Sequence, residues 1–315
     1  MYILGFDIGG TKCAVITAEA TNGNITILKK EKSATNLKIS PEEMIKKLIA
    51  IADELLESKP DAIGISCGDP LDSKRGIIMG PPNLPGWDNV EIVRMLEEHF
   101  GVKAKLQNDA NACAVAEWKF GAGKGLDNMI FLTFGTGLGA GLILDGRLYS
   151  GTNDNAGEVG HIRLEKSGPV GYGKSGSFEG FCSGGGIAQL GYTKALEAVQ
   201  KGEYPAYFNN DMKPSDITAK DIAEAADKGD VTALEVYRIC GEHLGRGLAI
   251  LIDILNPQAI VIGSIFGRAH HLLWESTKRI IEEEALSACA DVCRVVPAAL
   301  GESIGDYAAV SIALE

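Results

Sequence analysis

The residue types that could do chemistry in this chain gather in glycine turns and short polar runs. Asp7-Ile8-Gly9-Gly10-Thr11-Lys12 places a carboxylate after an apolar run and follows it with two glycines, a hydroxyl and an ammonium. Glycines let backbone amides approach phosphate oxygens, a threonine hydroxyl adds a donor, and a carboxylate at a strand end can hold Mg²⁺ directly or through water. Alone, Gly9-Gly10 is equally an ordinary hairpin turn. The run Phe134-Gly135-Thr136-Gly137-Leu138-Gly139 repeats the same chemistry, which favours the phosphate reading.

Asn108-Asp109-Ala110-Asn111 precedes an apolar helical stretch at 112–120. Asp109 suits an N-cap, and a carboxylate there is also placed to take a hydroxyl proton during phosphoryl transfer; the two roles do not exclude each other. Pro81-Pro82-Asn83-Leu84-Pro85-Gly86-Trp87 is a rigid aromatic loop, and Gly157-Glu158-Val159-Gly160-His161 offers a carboxylate and an imidazole. Such planar hydrogen-bonding groups suit a ring of sugar hydroxyls, although each alone is an ordinary surface polar residue. Two literal motifs fail on context. Gly168 to Ser175 satisfies the P-loop spacing without the preceding strand or the following helix, and the glycines at 135–141 enter a strand, unlike a dinucleotide fingerprint.

The elements that must position these residues alternate between strand and helix, which predicts an α/β fold. Apolar runs at 2–8 and 13–16 flank the first glycine turn, and runs at 129–134 and 142–144 flank the second, so two similar halves facing each other are expected. Helical spacing marks 41–57 and 90–100, with a short strand at 62–66 between them. Further on, 191–200, 219–228 and 231–256 read as helices, 259–262 as a strand and 303–314 as a terminal helix. The lobes expected are 1–116 plus 301–315, and 117–300.

Composition narrows the classes. The chain has 315 residues, 45% hydrophobic and 23% charged, as soluble globular proteins do. A net charge of −12 without a Lys/Arg block argues against nucleic acid as a partner. No apolar stretch approaches the roughly 20 residues of a membrane helix. Seven cysteines, an odd number, with no signal-peptide start, predict a reducing cytoplasm. Glycine is over-represented, at 39 residues, so backbone must approach something closely.

Taken in order, these motifs, with Glu179, Ser183-Gly184 and Ile260-Val261-Ile262-Gly263, resemble the ROK family of sugar kinases and sugar-responsive repressors, in the actin-like, ribonuclease H-like ATPase superfamily. The resemblance covers essentially the whole chain. It implies a two-lobed α/β fold with ATP and sugar in the interlobe cleft, and a homodimer. It implies Asp109 as the base acting on a hexose hydroxyl, with Asn83, Asn108, Glu158, His161 and Glu179 around the sugar. Gly10, Thr11, Lys12, Gly135, Thr136 and Gly137 would line the phosphates, Asp7 would face Mg²⁺, and Gly263 would lie near the adenosine. The family commonly holds a zinc with the histidine matching His161 and three cysteines. Here no cysteine lies between His161 and Glu179, so zinc is predicted absent. Glucose leads as substrate, ahead of other hexoses and N-acetylhexosamines. The alternative is a non-catalytic sugar-responsive regulator, whose DNA-binding segment is not expected because the Asp7 strand starts at residue 2.

Overall fold

In the computed structural model, which describes residues 1–315, the first apolar run is strand β1 (Tyr2–Ile8). It turns at Gly9-Gly10 into β2 (Lys12–Thr21), which returns through Asn22-Gly23 into β3 (Asn24–Ala34). Then follow α1 (Pro41–Leu55), β4 (Ala62–Cys67), the short pair β5 (Leu71–Asp72) and β6 (Ile77–Ile78), α2 (Ile92–Phe100), β7 (Ala104–Asn108) and α3 (Asp109–Phe120). β8 (Met129–Phe134) and β9 (Leu138–Leu144) flank the second glycine turn, and β10 (Arg147–Leu148) closes that meander. The remaining elements are β11 (Val170–Gly171), β12 (Lys174–Ser175), α4 (Phe178–Phe181), α5 (Gly184–Gln200), α6 (Ala219–Asp227), α7 (Val231–Leu255), β13 (Ala259–Ile262), α8 (Ile265–Arg268), α9 (His270–Glu284), α10 (Ser287–Ala290), β14 (Arg294–Pro297) and α11 (Ile304–Ile312).

Two five-stranded sheets carry the fold, ordered β3-β2-β1-β4-β7 and β10-β9-β8-β13-β14. In the first, β2 and β3 run antiparallel, and β1, β4 and β7 are parallel. In the second, β8, β13 and β14 are parallel and β10 pairs antiparallel with β9. The repeated order is the α/β duplication that the two glycine turns predict.

The chain divides into two compact units, 1–127 with 141–156 and 299–315, and 128–140 with 157–298. In the first, strand alternation sorts the side chains. Leu4, Phe6 and Ile8 join Met44, Leu48 and Leu96 on one face, covered by α1 and α2. Ile3 and Ile16 join Ala309 and Val310 of α11 on the other. Helix α11 lies so close that a Cβ on Gly64 would stand 2.0 Å from the Ala309 carbonyl oxygen. In the second unit, α7 and α9 cross where Gly241 and Gly245 remove side-chain bulk, and Thr277 Oγ1 donates to the Gly241 carbonyl across the crossing at 3.0 Å.

Several elements depart from the sequence expectation, which assigned nothing to α9 and β14. β3 was not expected, because Lys29, Lys30, Glu31 and Lys32 make it a charged edge strand, though Asn22-Gly23 is a hairpin signal. β7 was not expected either, since Ala104-Lys105-Leu106-Gln107-Asn108 is half polar. Helix α5 starts at Gly184 rather than 191, because Ser183 caps it by accepting from Gly186 N at 3.0 Å.

Glu117, fully buried near the end of α3, takes backbone N–H groups from Ala122 (2.8 Å), Ala299 (3.2 Å) and Leu300 (2.8 Å). It ties the returning C-terminal segment to α3. Glu117→Ala strands these donors and should lower the urea-unfolding free energy by on the order of 3 kcal/mol, with Glu117→Gln losing less because it keeps an accepting oxygen.

Candidate functional site

The first unit gathers one set of the expected residues. Asp7 ends the β1 face that carries Ile3 and Gly5 toward α11, and a Cβ on Gly305 would come within 3.3 Å of its Oδ2. The turn after it is closed by Gly9 N donating to the Lys12 carbonyl at 3.1 Å, and leaves Thr11 and Lys12 exposed. At Gly10 a Cβ would stand 2.2 Å from the Asn83 carbonyl oxygen, so no side chain is tolerated there without moving the loop. That loop is anchored by the buried Leu84 and Trp87 while Asn83 stays exposed beside the turn.

Asp109 is the first residue of α3 and not its cap. Asn108 is the cap, its Oδ1 accepting from Asn111 N at 2.7 Å. Gln107 Oε1 accepts from both Asn108 N (2.8 Å) and Asn111 Nδ2 (3.1 Å), which locks the β7–α3 junction. Asn108 is buried, its Oδ1 given to the cap and its Nδ2 donating to the Asp154 carbonyl at 3.5 Å, and Asp109 is exposed. Although solvent reaches Asp109, the protein packed around it raises its pKa, against the lowering effect of the amides of Ala110 and Asp109 itself. Residue 109 is exposed as a whole, while burial around its carboxyl group holds the pKa above the ordinary carboxylate value.

Asp7 is pushed up to about 6, first by burial, then by the negative charges of Asp109 and Asp306, with Lys30 and Lys12 opposing. Such a carboxylate fits a hard divalent cation, which reverses all three penalties. No three His, Cys, Asp or Glu side chains come together as a chelating set. Mg²⁺ here would take one carboxylate, with water and phosphate oxygens completing its shell.

The second unit gathers the other set around the second turn. Gly135 N donates to the Gly137 carbonyl at 3.1 Å, and Gly184 N, opening α5, donates to the Gly135 carbonyl at 2.8 Å. Thr136 is exposed at the tip. Beside this turn opens a cavity of about 910 Å³, lined by Gly135, Thr136, Gly185, Lys220, Ser264 and Arg268 among others. The N-terminus of the 17-residue α5 lies at the cavity wall, where Gly184 N and Gly186 N are taken by the Gly135 carbonyl and Ser183 Oγ and the helix dipole still favours a negative group. Gly263 is buried behind the wall, its N bonded to the Leu132 carbonyl, and Ser264 faces the cavity with a φ of 54°. Sequence reasoning did not identify the lining from α6 and α8, because no motif marks it.

Gly157 and Gly160 press the segment of Glu158 and His161 onto β9, where a Cβ on Gly160 would stand 2.1 Å from the Leu138 carbonyl oxygen. Glu158 and His161 are exposed, and Glu179, half-buried, turns its Oε2 to Leu138 N. The P-loop spacing proves to be a tight hairpin, β11 and β12, turned at Tyr172-Gly173, and Lys174 Nζ donates to the His161 carbonyl at 2.6 Å. Arg163 to the Ser175 carbonyl (2.7 Å), the Gln189 amide on both backbone groups of Val170, and Arg246 on Glu165 order the rest. The segment from His161 to Glu179 carries no cysteine, and no cluster of His, Cys, Asp or Glu forms around His161, so the residues present do not fit a tetrahedral thiolate zinc site.

The sequence profile of the ROK family matches residues 3–315. A protein of Halalkalibacterium halodurans named glucokinase is 34% identical, over 96% of this chain and 92% of its own length. The Escherichia coli regulator NagC is 34% identical over 72% of this chain and 54% of its own. The crystal structure of a ROK family glucokinase from Streptomyces griseus, in complex with glucose and AMPPNP, superposes with a TM-score of 0.79 at 29% identity, over 100% of this chain and 99% of that one.

The raised pKa of Asp7 carries a stability signature. A carboxyl that holds its proton more tightly folded than unfolded destabilises the fold as pH rises from its ordinary value, 3.8, through about 6. Without divalent cation, Asp7→Asn is expected to have a higher urea midpoint than wild type at pH 8, and the gap should close as pH falls from about 6 toward 4.

Proposed function

From the premise that this chain belongs to the ROK family and is an ATP-dependent sugar kinase, we propose that it transfers the γ-phosphoryl of ATP to the 6-hydroxyl of glucose, with Asp109 as general base. The observation that carries the assignment of the base is the placement of Asp109. It is an exposed carboxylate on the first turn of a capped helix, with a raised pKa suited to taking a proton. Support for glucose comes from the full-length relatives named glucokinase.

In this reading Asn83, Glu158, His161 and Glu179 hold the sugar, and Asn108 acts through its cap by fixing where Asp109 stands. As the hydroxyl oxygen bonds to the γ-phosphorus, Asp109 accepts its proton and the bond to the β–γ bridging oxygen breaks, leaving ADP. Thr11, Lys12, Thr136 and the amides of Gly10 and Gly137 hold phosphate oxygens, Gly135 shapes the turn that presents them, and the cavity beside α5 takes the adenosine. Mg²⁺ held by Asp7, when bound, neutralises phosphate charge. No structural zinc takes part, and seven free thiols support a reducing, cytoplasmic setting. The second reading, a sugar-responsive regulator, is favoured by the similarity to NagC and predicts binding without turnover.

ADP release with Mg-ATP, measured against glucose, mannose, fructose, N-acetylglucosamine and N-acetylmannosamine, separates these readings. Glucose should drive turnover, and Asp109→Asn should lower kcat by about 10²–10⁴-fold with little change in sugar affinity. A regulator would bind sugar in a thermal-shift screen and release no ADP. Dialysis against a chelator followed by Mg²⁺ alone should restore full activity, and stoichiometric zinc in the purified protein would contradict the zinc-free reading.

A further inference from the structure

In the kinase reading Glu179 is a sugar-binding carboxylate, yet the contact it makes with the protein lies in the second phosphate turn. Its Oε2 accepts the backbone N–H of Leu138 at 3.0 Å, on the residue that follows Gly135-Thr136-Gly137. A Cβ on Gly137 would stand 2.8 Å from that same oxygen, so the carboxylate lies against the turn itself. Its own backbone is fixed by the cap of α4, where Ser177 Oγ accepts from Gly180 N at 3.1 Å. The stem is hemmed in as well. Glycine is required at 171, where a Cβ would meet Glu179 Cβ at 2.8 Å, and a Cβ on Gly160 would approach it to 3.2 Å. The side chain is thereby directed at the turn, and Oε1 is left without a protein donor.

We infer that Glu179 is a positioning residue for the nucleotide phosphates, and that its two oxygens link the two substrates: Oε2 holds the turn that carries Thr136 while Oε1 takes a sugar hydroxyl. The inference rests on the kinase reading. A backbone amide accepted by a carboxylate is a strong, charge-assisted hydrogen bond, and losing it frees the turn to move away from the phosphates. A sugar donating to Oε1 orders the carboxylate that the turn depends on, so each substrate lowers the ordering cost of the other, and the effect is reciprocal.

The test is calorimetric titration of the full-length chain with Mg-AMPPNP, first without sugar and then with saturating glucose. Without sugar, Glu179→Ala should weaken nucleotide binding about tenfold, as expected for a lost hydrogen bond to a charged group. Glu179→Gln, whose carbonyl still accepts the Leu138 N–H, should stay within about threefold of wild type. Glucose should tighten nucleotide binding in wild type and leave Glu179→Ala unchanged. A purely sugar-binding Glu179 predicts wild-type nucleotide affinity in Glu179→Ala without sugar, with only the sugar KM raised, and that result overturns the inference while leaving the kinase reading intact. Failure of wild type to bind Mg-AMPPNP at all would overturn both. Should Glu179→Ala not fold, Glu179→Asp, one methylene short of Leu138 N, must show the same sugar-free loss; unchanged affinity there also overturns the inference.

Discussion

A carboxylate packed against protein keeps its charge only if something donates to it, and this constraint organises both units. Glu117 is answered by three backbone amides, and in being answered it pins the C-terminal segment to α3. Glu179 is answered by Leu138 N, which draws α4 to the second glycine turn. Asp109 receives the amides at the start of its own helix. Asp7 instead meets the charges of Asp109 and Asp306, and its proton is held up to about pH 6. In each case the acid decides which piece of backbone lies where, and at Asp7 the missing partner is one that a ligand can bring.

Backbone acting as donor requires backbone brought near, and the glycine content serves that need. Gly10 lets the first turn touch the Asn83 loop, so a group suited to phosphate and one suited to a sugar share one contact. Gly160 does the same for the segment of His161 against β9. The hairpin of β11 and β12 is cross-braced onto this region by the hydrogen bonds of Lys174, Arg163 and Gln189.

Much of this was legible in the sequence where pattern and chemistry coincide. Asp7-Ile8-Gly9-Gly10 and Phe134-Gly135-Thr136-Gly137 announce strand, turn and donor together, and the apolar spacing of Met44 and Leu48 announces α1. Legibility failed where the physical cause is long-range. β3 is a strand because β2 offers it an edge, not because its lysines favour one. Asn108, and not Asp109, caps α3 because Gln107 fixes its backbone from the adjoining strand. The cavity beside α5 is assembled from α5, α6, α7, α8, the segment at 214–218 and the glycine turn, and no local spacing records that.

The matching strand order of the two sheets has a consequence for how such a chain diverges. If one half-sheet was copied, the position two residues before the first glycine of each turn started out alike. In one copy it is now Thr133, whose hydroxyl receives Gly139 N and donates back to the Gly139 carbonyl. In the other it is Asp7, crowded by like charge. The descendant at Thr133 is neutral and self-contained, a tolerant site at which drift costs little beyond a local bond. Its counterpart Asp7 keeps a carboxyl raised to about 6 by burial and by Asp109 and Asp306, so of two matching positions one is self-contained and the other is the one that a cation would relieve in the proposed function.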